Sequence, residues 1–231
     1  MADGRVASGG DDGLIKLWPQ DGGGEPFILR LGGHAGQSLA LLPDGRLVSG
    51  GLDSQIKLWP RDGVAQPVTL PNSSSVTSLA VLPDGRLAGG GLLTQIKLWP
   101  LDGVGQPVIL PNSSRVISLA VLPDGRLTGG DFDGQIKLWP RDGVDQPVTL
   151  PNSSGVSSLV VLPDGRLASG GPDGQIKLWL VDEDKLIAAL CLRGGRNLTK
   201  AEWELYFGAE TSQQPSCRSL NLPSNWRTPA P

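Results

Sequence analysis

Histidine and cysteine are nearly missing from this chain: His34 is the one histidine, and Cys191 and Cys217 are the two cysteines. That inventory excludes most metal sites, which draw on several such ligands, and nearly every histidine-based catalytic scheme. A basic surplus is missing too. Twenty Lys and Arg stand against 23 Asp and Glu, a net charge of −3, so nothing favours a phosphate backbone and no nucleic-acid partner is expected. No run approaches the roughly 20 apolar residues of a membrane helix, so no membrane partner is expected either. The polar start Met1-Ala2-Asp3-Gly4-Arg5 does not read as a signal peptide. The expectation is therefore a cytoplasmic protein with reduced thiols, and the Asn-Ser-Ser triplets at Asn72, Asn112 and Asn152 are not read as glycan acceptors. No Gly-x-x-x-x-Gly-Lys-Ser/Thr loop offers a phosphate cradle. The aspartates sit largely in Asp-Gly turns, where they bond local backbone, and none lies in the apolar setting that would make it an acid. Neither catalysis nor a cofactor is expected.

What the chain has in excess is glycine and proline, 33 and 20 of 231 residues. Without a period such a composition reads as disorder; with one it reads as short strands joined by tight turns. The period is there. Ile-Lys-Leu-Trp ends at Trp18, Trp59, Trp99, Trp139 and Trp179, spaced by 41, 40, 40 and 40 residues. Pro-Asp-Gly-Arg-Leu opens at Pro43, Pro83, Pro123 and Pro163, with a truncated copy at Ala2-Asp3-Gly4-Arg5-Val6. A period near 40 allows helical arrays or four-stranded propeller blades, and the recurrent Pro and Gly, with no helical spacing between them, favour the blade.

One repeat parses into four strands. Residues 76–82 alternate apolar with small or polar side chains, and Pro83-Asp84-Gly85 turns the chain into a short strand at 86–90. Residues 95–99 form the third strand, with Ile96 and Leu98 on one face and Lys97 on the other, read as solvated. Residues 106–110 form the outermost, where Pro107 is tolerated because an edge strand need not donate every N–H. The predicted fold is all-β: a β-propeller of five four-stranded blades.

Pro163 to Trp179, Pro-Asp-Gly-Arg-Leu-Ala-Ser-Gly-Gly-x-Asp-Gly-x-Ile-Lys-Leu-Trp, resembles the WD-repeat family of bacteria. The likeness extends over residues 1 to about 190. It implies a His, Ser/Thr, Asp, Trp tetrad in each blade, here incomplete. The family's Gly-His position holds Asn72, Asn112 and Asn152; the Asp after Trp is Pro19, Pro60, Pro100 and Pro140, and Leu180 in the last copy. What remains is Ser8, Ser49 and Ser169, with Asp12, Asp53, Asp133 and Asp173; copy three has Gly89 and Leu93 instead. The blades are accordingly expected to depend on packing, with Trp18, Trp59, Trp99, Trp139 and Trp179 as structural residues.

Residues 191–231 differ from the repeats, with five basic and three acidic side chains. Thr199 and Glu202 form a capping box before a predicted helix over 200–207, with Leu198 and Trp203 as its staple. Asn-Leu-Thr-x-x-Glu-Trp-x-x-Tyr with a later Pro-x-Cys resembles the C-terminal cap of WD-repeat domains in bacterial multidomain proteins, many with NACHT-type switch modules; the chain would be the sensor half. Copies two to five supply four strands each, whereas copy one starts at its second. Residues 216–222 mimic the inner strand of 75–82 and are expected to complete blade one. The alternative is a frayed tail and closure by self-association.

Of 40 aligned positions between Gln66–Gly105 and Gln106–Asp145, ten differ. Six of the ten fall at Ser75/Arg115, Thr77/Ile117 and the turn from Gly91/Asp131 to Thr94/Gly134. In an antiparallel meander these places share one edge, at one mouth of the ring. Leu52, Ser75, Thr77, Leu92, Arg115, Ile117, Phe132 and Pro172 are therefore the candidate partner-binding residues, matching the positions the WD-repeat resemblance implies. The expected function is a non-catalytic scaffold or sensor that binds protein or peptide; the alternative is a lectin-type propeller with repeated glycan or small-ligand sites.

Overall fold

The structure, a computed structural model, describes residues 4–182 except 31–34, 62–64, 71–73, 93, 101–104, 113, 142–145 and 153, together with 184–186, 189 and 199–202. His34, Asn72, Cys191, Cys217 and the predicted closing strand at 216–222 lie outside the described residues.

Eighteen strands form five antiparallel sheets, each a meander in sequence order. Blade one holds β1 (Val6–Gly9), β2 (Leu14–Trp18) and β3 (Phe27–Arg30). Blade two holds β4 (Ala35–Leu41), β5 (Leu47–Gly51), β6 (Ile56–Trp59) and β7 (Val68–Leu70). Blade three holds β8 (Ser78–Val81), β9 (Leu87–Gly90), β10 (Gln95–Trp99) and β11 (Val108–Pro111). Blade four holds β12 (Val116–Val121), β13 (Leu127–Asp131), β14 (Gln135–Trp139) and β15 (Val148–Pro151). Blade five holds β16 (Ser158–Val161), β17 (Leu167–Gly170) and β18 (Ile176–Trp179). The fold is an all-β propeller of five blades. Three carry four strands, and the first and fifth carry three among the described residues.

Among the described residues the fifth blade has three strands, where the sequence reading expects four in copies two to five. After Trp179 the Pro-x-Asp-Gly turn of the other copies gives way to Leu180-Val181-Asp182. The Asp182 carboxylate accepts the Lys185 N–H at 2.9 Å and its carbonyl accepts the Leu186 N–H at 2.9 Å, so residues 184–186 are helical. Asp is a favourable helix cap, and without the turn Gly the chain winds instead of doubling back. Further on, Thr199 and Glu202 bond reciprocally: the Thr199 N–H and hydroxyl reach the Glu202 carboxylate at 2.8 and 2.9 Å, and the Glu202 N–H reaches Thr199 Oγ1 at 3.3 Å. Residues 200–202 are helical; the remainder of the predicted helix lies outside the described residues.

Blades stack face to face through one repeated interface. From blade three come Ala80, Ala88, Ile96, Leu98 and Leu110; from blade four come Val116, Leu119, Leu127 and Trp139. The same sets recur between blades two and three, with Trp99 as the inserted indole, and between one and two, with Trp59. Trp99 and Trp139 are each 1 % exposed. Gly129 makes room, since a Cβ there would lie 3.0 Å from the Trp139 ring and 3.1 Å from Leu119. Backbone polar groups join blades as well: the hydroxyls of Ser38, Ser78 and Ser118 accept the N–H of Leu79, Leu119 and Leu159 in the next blade, at 2.8–3.0 Å.

Both faces of an internal blade are therefore covered, which corrects the solvated reading for Lys137, while Lys16, Lys57, Lys97 and Lys177 are half-buried. Lys137 shares the Trp139 side of β14, is 8 % exposed, and donates to Asn112 Oδ1 at 2.6 Å; Lys177 reaches Asn152 Oδ1 at 2.5 Å. Asn112 and Asn152 also donate to the carbonyls of Ser114 and Ser154, at 2.7 and 2.8 Å. At the positions where the resemblance implied His, asparagine thus accepts from a lysine of the same repeat.

The remnant tetrad is uneven. Trp18, Trp59 and Trp179 donate their indole N–H to Ser8, Ser49 and Ser169 at 2.8–2.9 Å. In blade four Gly129 occupies the serine position, and the buried Trp139 Nε1 has no acceptor. Burying such a donor unpaired costs about 1–3 kcal/mol. Gly129→Ser is expected to raise stability by about 1 kcal/mol, because the tight Cβ contacts take back part of the gain, whereas Gly129→Ala is expected to give none of it; urea unfolding of both variants measures the difference. Trp139→Ala is expected to cost about 3–5 kcal/mol, the range for emptying a buried aromatic site. The 38 % exposed Trp18 should lose markedly less on the same change, by the same assay.

Candidate interaction face

The turns after the second strand of each blade all open at one mouth. Asp12, Asp53 and Asp173 fix them by accepting the N–H two residues on, from Leu14, Gln55 and Gln175, at 3.1–3.2 Å. Asp133 was expected to do the same in blade four, but the acceptor of the Gln135 N–H, at 2.8 Å, is Asp131, and Asp133 is exposed. The difference follows from sequence: blade four has Asp at 131 where the others have Gly.

The tips of these turns are Leu52, Leu92, Phe132 and Pro172, all exposed, with Phe132 at 58 %. The start of the inner strand lies against the tip of its own blade, as the meander requires: the Phe132 N–H donates to the Arg115 carbonyl at 3.0 Å. The exposed Arg115 guanidinium sits over the Phe132 ring, 4.3 Å from its centroid. Such a stack holds both side chains in place at low entropic cost while leaving their outer surfaces accessible. Ser75, Thr77 and Ile117 are half-buried beside these tips. Thr77 donates to the Val116 carbonyl of the next blade at 3.0 Å, so it positions the rim as well as lining it. The eight candidate residues thus share one mouth.

The opposite mouth is uniform. In every Pro-Asp-Gly-Arg turn the Asp carboxylate takes both the backbone N–H and the guanidinium of the Arg two residues on, for Asp44, Asp84, Asp124 and Asp164 alike. Arg86 and Arg126 also reach the following blade, donating to the carbonyls of Arg141 at 2.8 Å and Val181 at 2.6 Å. Small hollows of about 290 and 220 Å³ lie between successive turns, lined by Pro83, Pro123 and Pro163 and by these already paired carboxylates. Among the described residues no group of His, Cys, Asp and Glu is placed to hold a metal.

The WD domain, G-beta repeat model matches residues 26–60, 107–140 and 146–179. These three segments are similar to WD40 repeats. Each runs from the outer strand of one blade through three strands of the next, so a WD40 repeat straddles a blade boundary. Copy 66–100, which has Gly89 and Leu93 in place of Ser and Asp, is not among the matched segments. Among solved structures, a chain of the crystal structure of the mitotic checkpoint complex superposes with a TM-score of 0.69 at 22 % identity, covering 76 % of this chain. This chain spans 58 % of that one, and the likeness shows the propeller fold. Curated proteins yield no match. WD40 propellers are generally non-catalytic protein-interaction scaffolds.

The Asp–Arg turns have a pH signature. Burial raises the carboxyls of Asp44, Asp84 and Asp124, but the N–H and guanidinium of the following Arg outweigh it and hold each below the ordinary value of 3.8; for Asp164 the Arg166 backbone N–H leads, with the same result. A lowered folded pKa contributes stability that is present above 3.8 and lost as pH falls through the folded value. The stability deficit of Asp124→Asn, read by chemical unfolding, is expected to be full at neutral pH and to shrink progressively below about pH 4.

Proposed function

We propose that this chain is a non-catalytic WD-repeat scaffold or sensor module that holds a protein or peptide at the mouth formed by Leu52, Leu92, Phe132, Pro172 and Arg115. The reading rests on one contrast. On this mouth four equivalent turns carry exposed Leu, Leu, Phe and Pro, and only blade four adds a stacked Arg, while the opposite mouth repeats one Asp–Arg pair in each of blades two to five. A single asymmetric partner needs copies that differ at the contact, whereas multivalent glycan sites need copies that agree. Aromatic and arginine side chains fixed at a rim are the groups that most often anchor protein interfaces. The Thr199–Glu202 capping box agrees with the helix start expected of a cap segment after the propeller, and the sensor half of a larger cytoplasmic bacterial protein remains the reading that the sequence resemblance implies.

Phe132→Ala and Arg115→Ala are each expected to weaken partner capture more than about fivefold, or about 1 kcal/mol, with the melting temperature nearly unchanged. Val108→Ala, on the exposed outer strand, is the control. Arg86 and Arg126 are unsuitable as controls because they bridge blades. Proteins retained from lysate by the wild type and the control but lost with both rim variants would support the assignment. Retention by all three, or binding to a glycan array instead, would overturn it.

A further inference from the structure

Among the described residues two blade faces of this propeller have no partner blade, and they are the two halves of the interface that the chain builds internally. On blade five Ile176, Leu178 and Val160 are 79, 52 and 53 % exposed. Their counterparts Ile136 and Leu138 in blade four are 0 and 4 % exposed, buried against Val156, Leu159 and Leu167 of the next blade. On blade one Val6 and Trp18 are 63 and 38 % exposed, where the equivalent Leu127 and Trp139 of blade four are each 1 % exposed. Consecutive blades pack through β1 on β4, β4 on β8, β8 on β12 and β12 on β16; among the described residues no comparable contact joins the first and last blades.

We infer that these faces meet between molecules: blade five of one copy receives blade one of a second copy, head to tail. The occupant follows from continuity with the existing interfaces. The Ile, Leu and small-residue face of β17 and β18 is the one that inside the chain takes a Trp and a branched aliphatic from the following blade, and blade one presents that Trp and that aliphatic. A face-to-face pairing of two fifth blades would instead set Ile and Leu against Ile and Leu, with no indole to fill the space. A head-to-tail contact is heterologous, so it closes a ring or extends a filament according to the arc each copy contributes.

The test is oligomeric state with complementary variants of the full chain. Sedimentation equilibrium over a dilution series is expected to show mass rising from 24.2 kDa toward its multiples. Ile176→Asp or Val6→Asp alone should return the monomer, with the melting temperature that the wild type shows at high dilution, because both positions are exposed in the single molecule. Leu178→Asp repeats the test should Ile176→Asp fail to fold. Mixed in equal amounts, the blade-five and blade-one variants retain one intact face each and should form a dimer that grows no further. A wild type that stays monomeric at every concentration, as when residues 191–231 of the same chain cover the faces, would overturn the inference. So would a Val6→Asp protein that still dimerises, which is the five-to-five pairing, or a mixture that stays monomeric.

Discussion

Everything in this propeller depends on one contact, an indole and three aliphatic side chains pressed against the Ile-Leu face of the preceding blade. One blade of three or four short strands, apolar on both faces, cannot bury those faces alone and needs a stacked neighbour on each side. Stacking lets a single pattern serve both sides: Ile and Leu of strand three point forward while Lys and Trp point back. The serine hydroxyl bridges between inner strands and the Arg86 and Arg126 bonds to neighbouring blades then fix the angle between sheets that apolar contact leaves loose. The glycines at 89, 129 and 130 belong to the same constraint, since a Cβ at 89 or 129 would press on the Trp of its own blade and one at 130 on Val156 of the next.

The two mouths divide labour in consequence. Where the Pro-Asp-Gly turns lie, every residue is committed to holding the chain reversal and the next blade, which leaves no freedom to vary. Where strands two and three connect, the turns of blades one, two, four and five use one carboxylate acceptor and one residue at positive φ, and blade three turns without the carboxylate. The tip position between them is unconstrained by packing, and Leu, Leu, Phe and Pro occupy it in successive blades. Variation is found where the physics of the fold permits it, and so is the surface suited to recognition.

Much of this was legible because it is local. The Ile-Lys-Leu-Trp strand, the Pro-Asp-Gly turn and their 40-residue spacing fix the blades, and a meander places the start of strand one beside the end of strand two without any tertiary knowledge. What escaped depends on distant partners. Lys137 alternates as a solvent-facing residue should, and only the preceding blade turns that side into an interior; its acceptor, Asn112, lies 25 residues away in a linker. The constant pairing of an Asn with a Lys at that separation in successive repeats was a readable signal. The takeover of the Gln135 N–H by Asp131 required comparing acceptors two and four residues back, and the helical turn after Trp179 required weighing Asp182 as a cap against the expected outer strand.

The offset between WD40 repeat and blade has an evolutionary corollary. Because each repeat donates an outer strand to one sheet and three strands to the next, its two ends never coincide with a packing surface. Duplicating or deleting one whole unit therefore splices strand to strand within a sheet and leaves every interface, including the terminal ones, chemically as it was. Blade number can drift by unequal exchange between near-identical copies without any new side chain having to be selected.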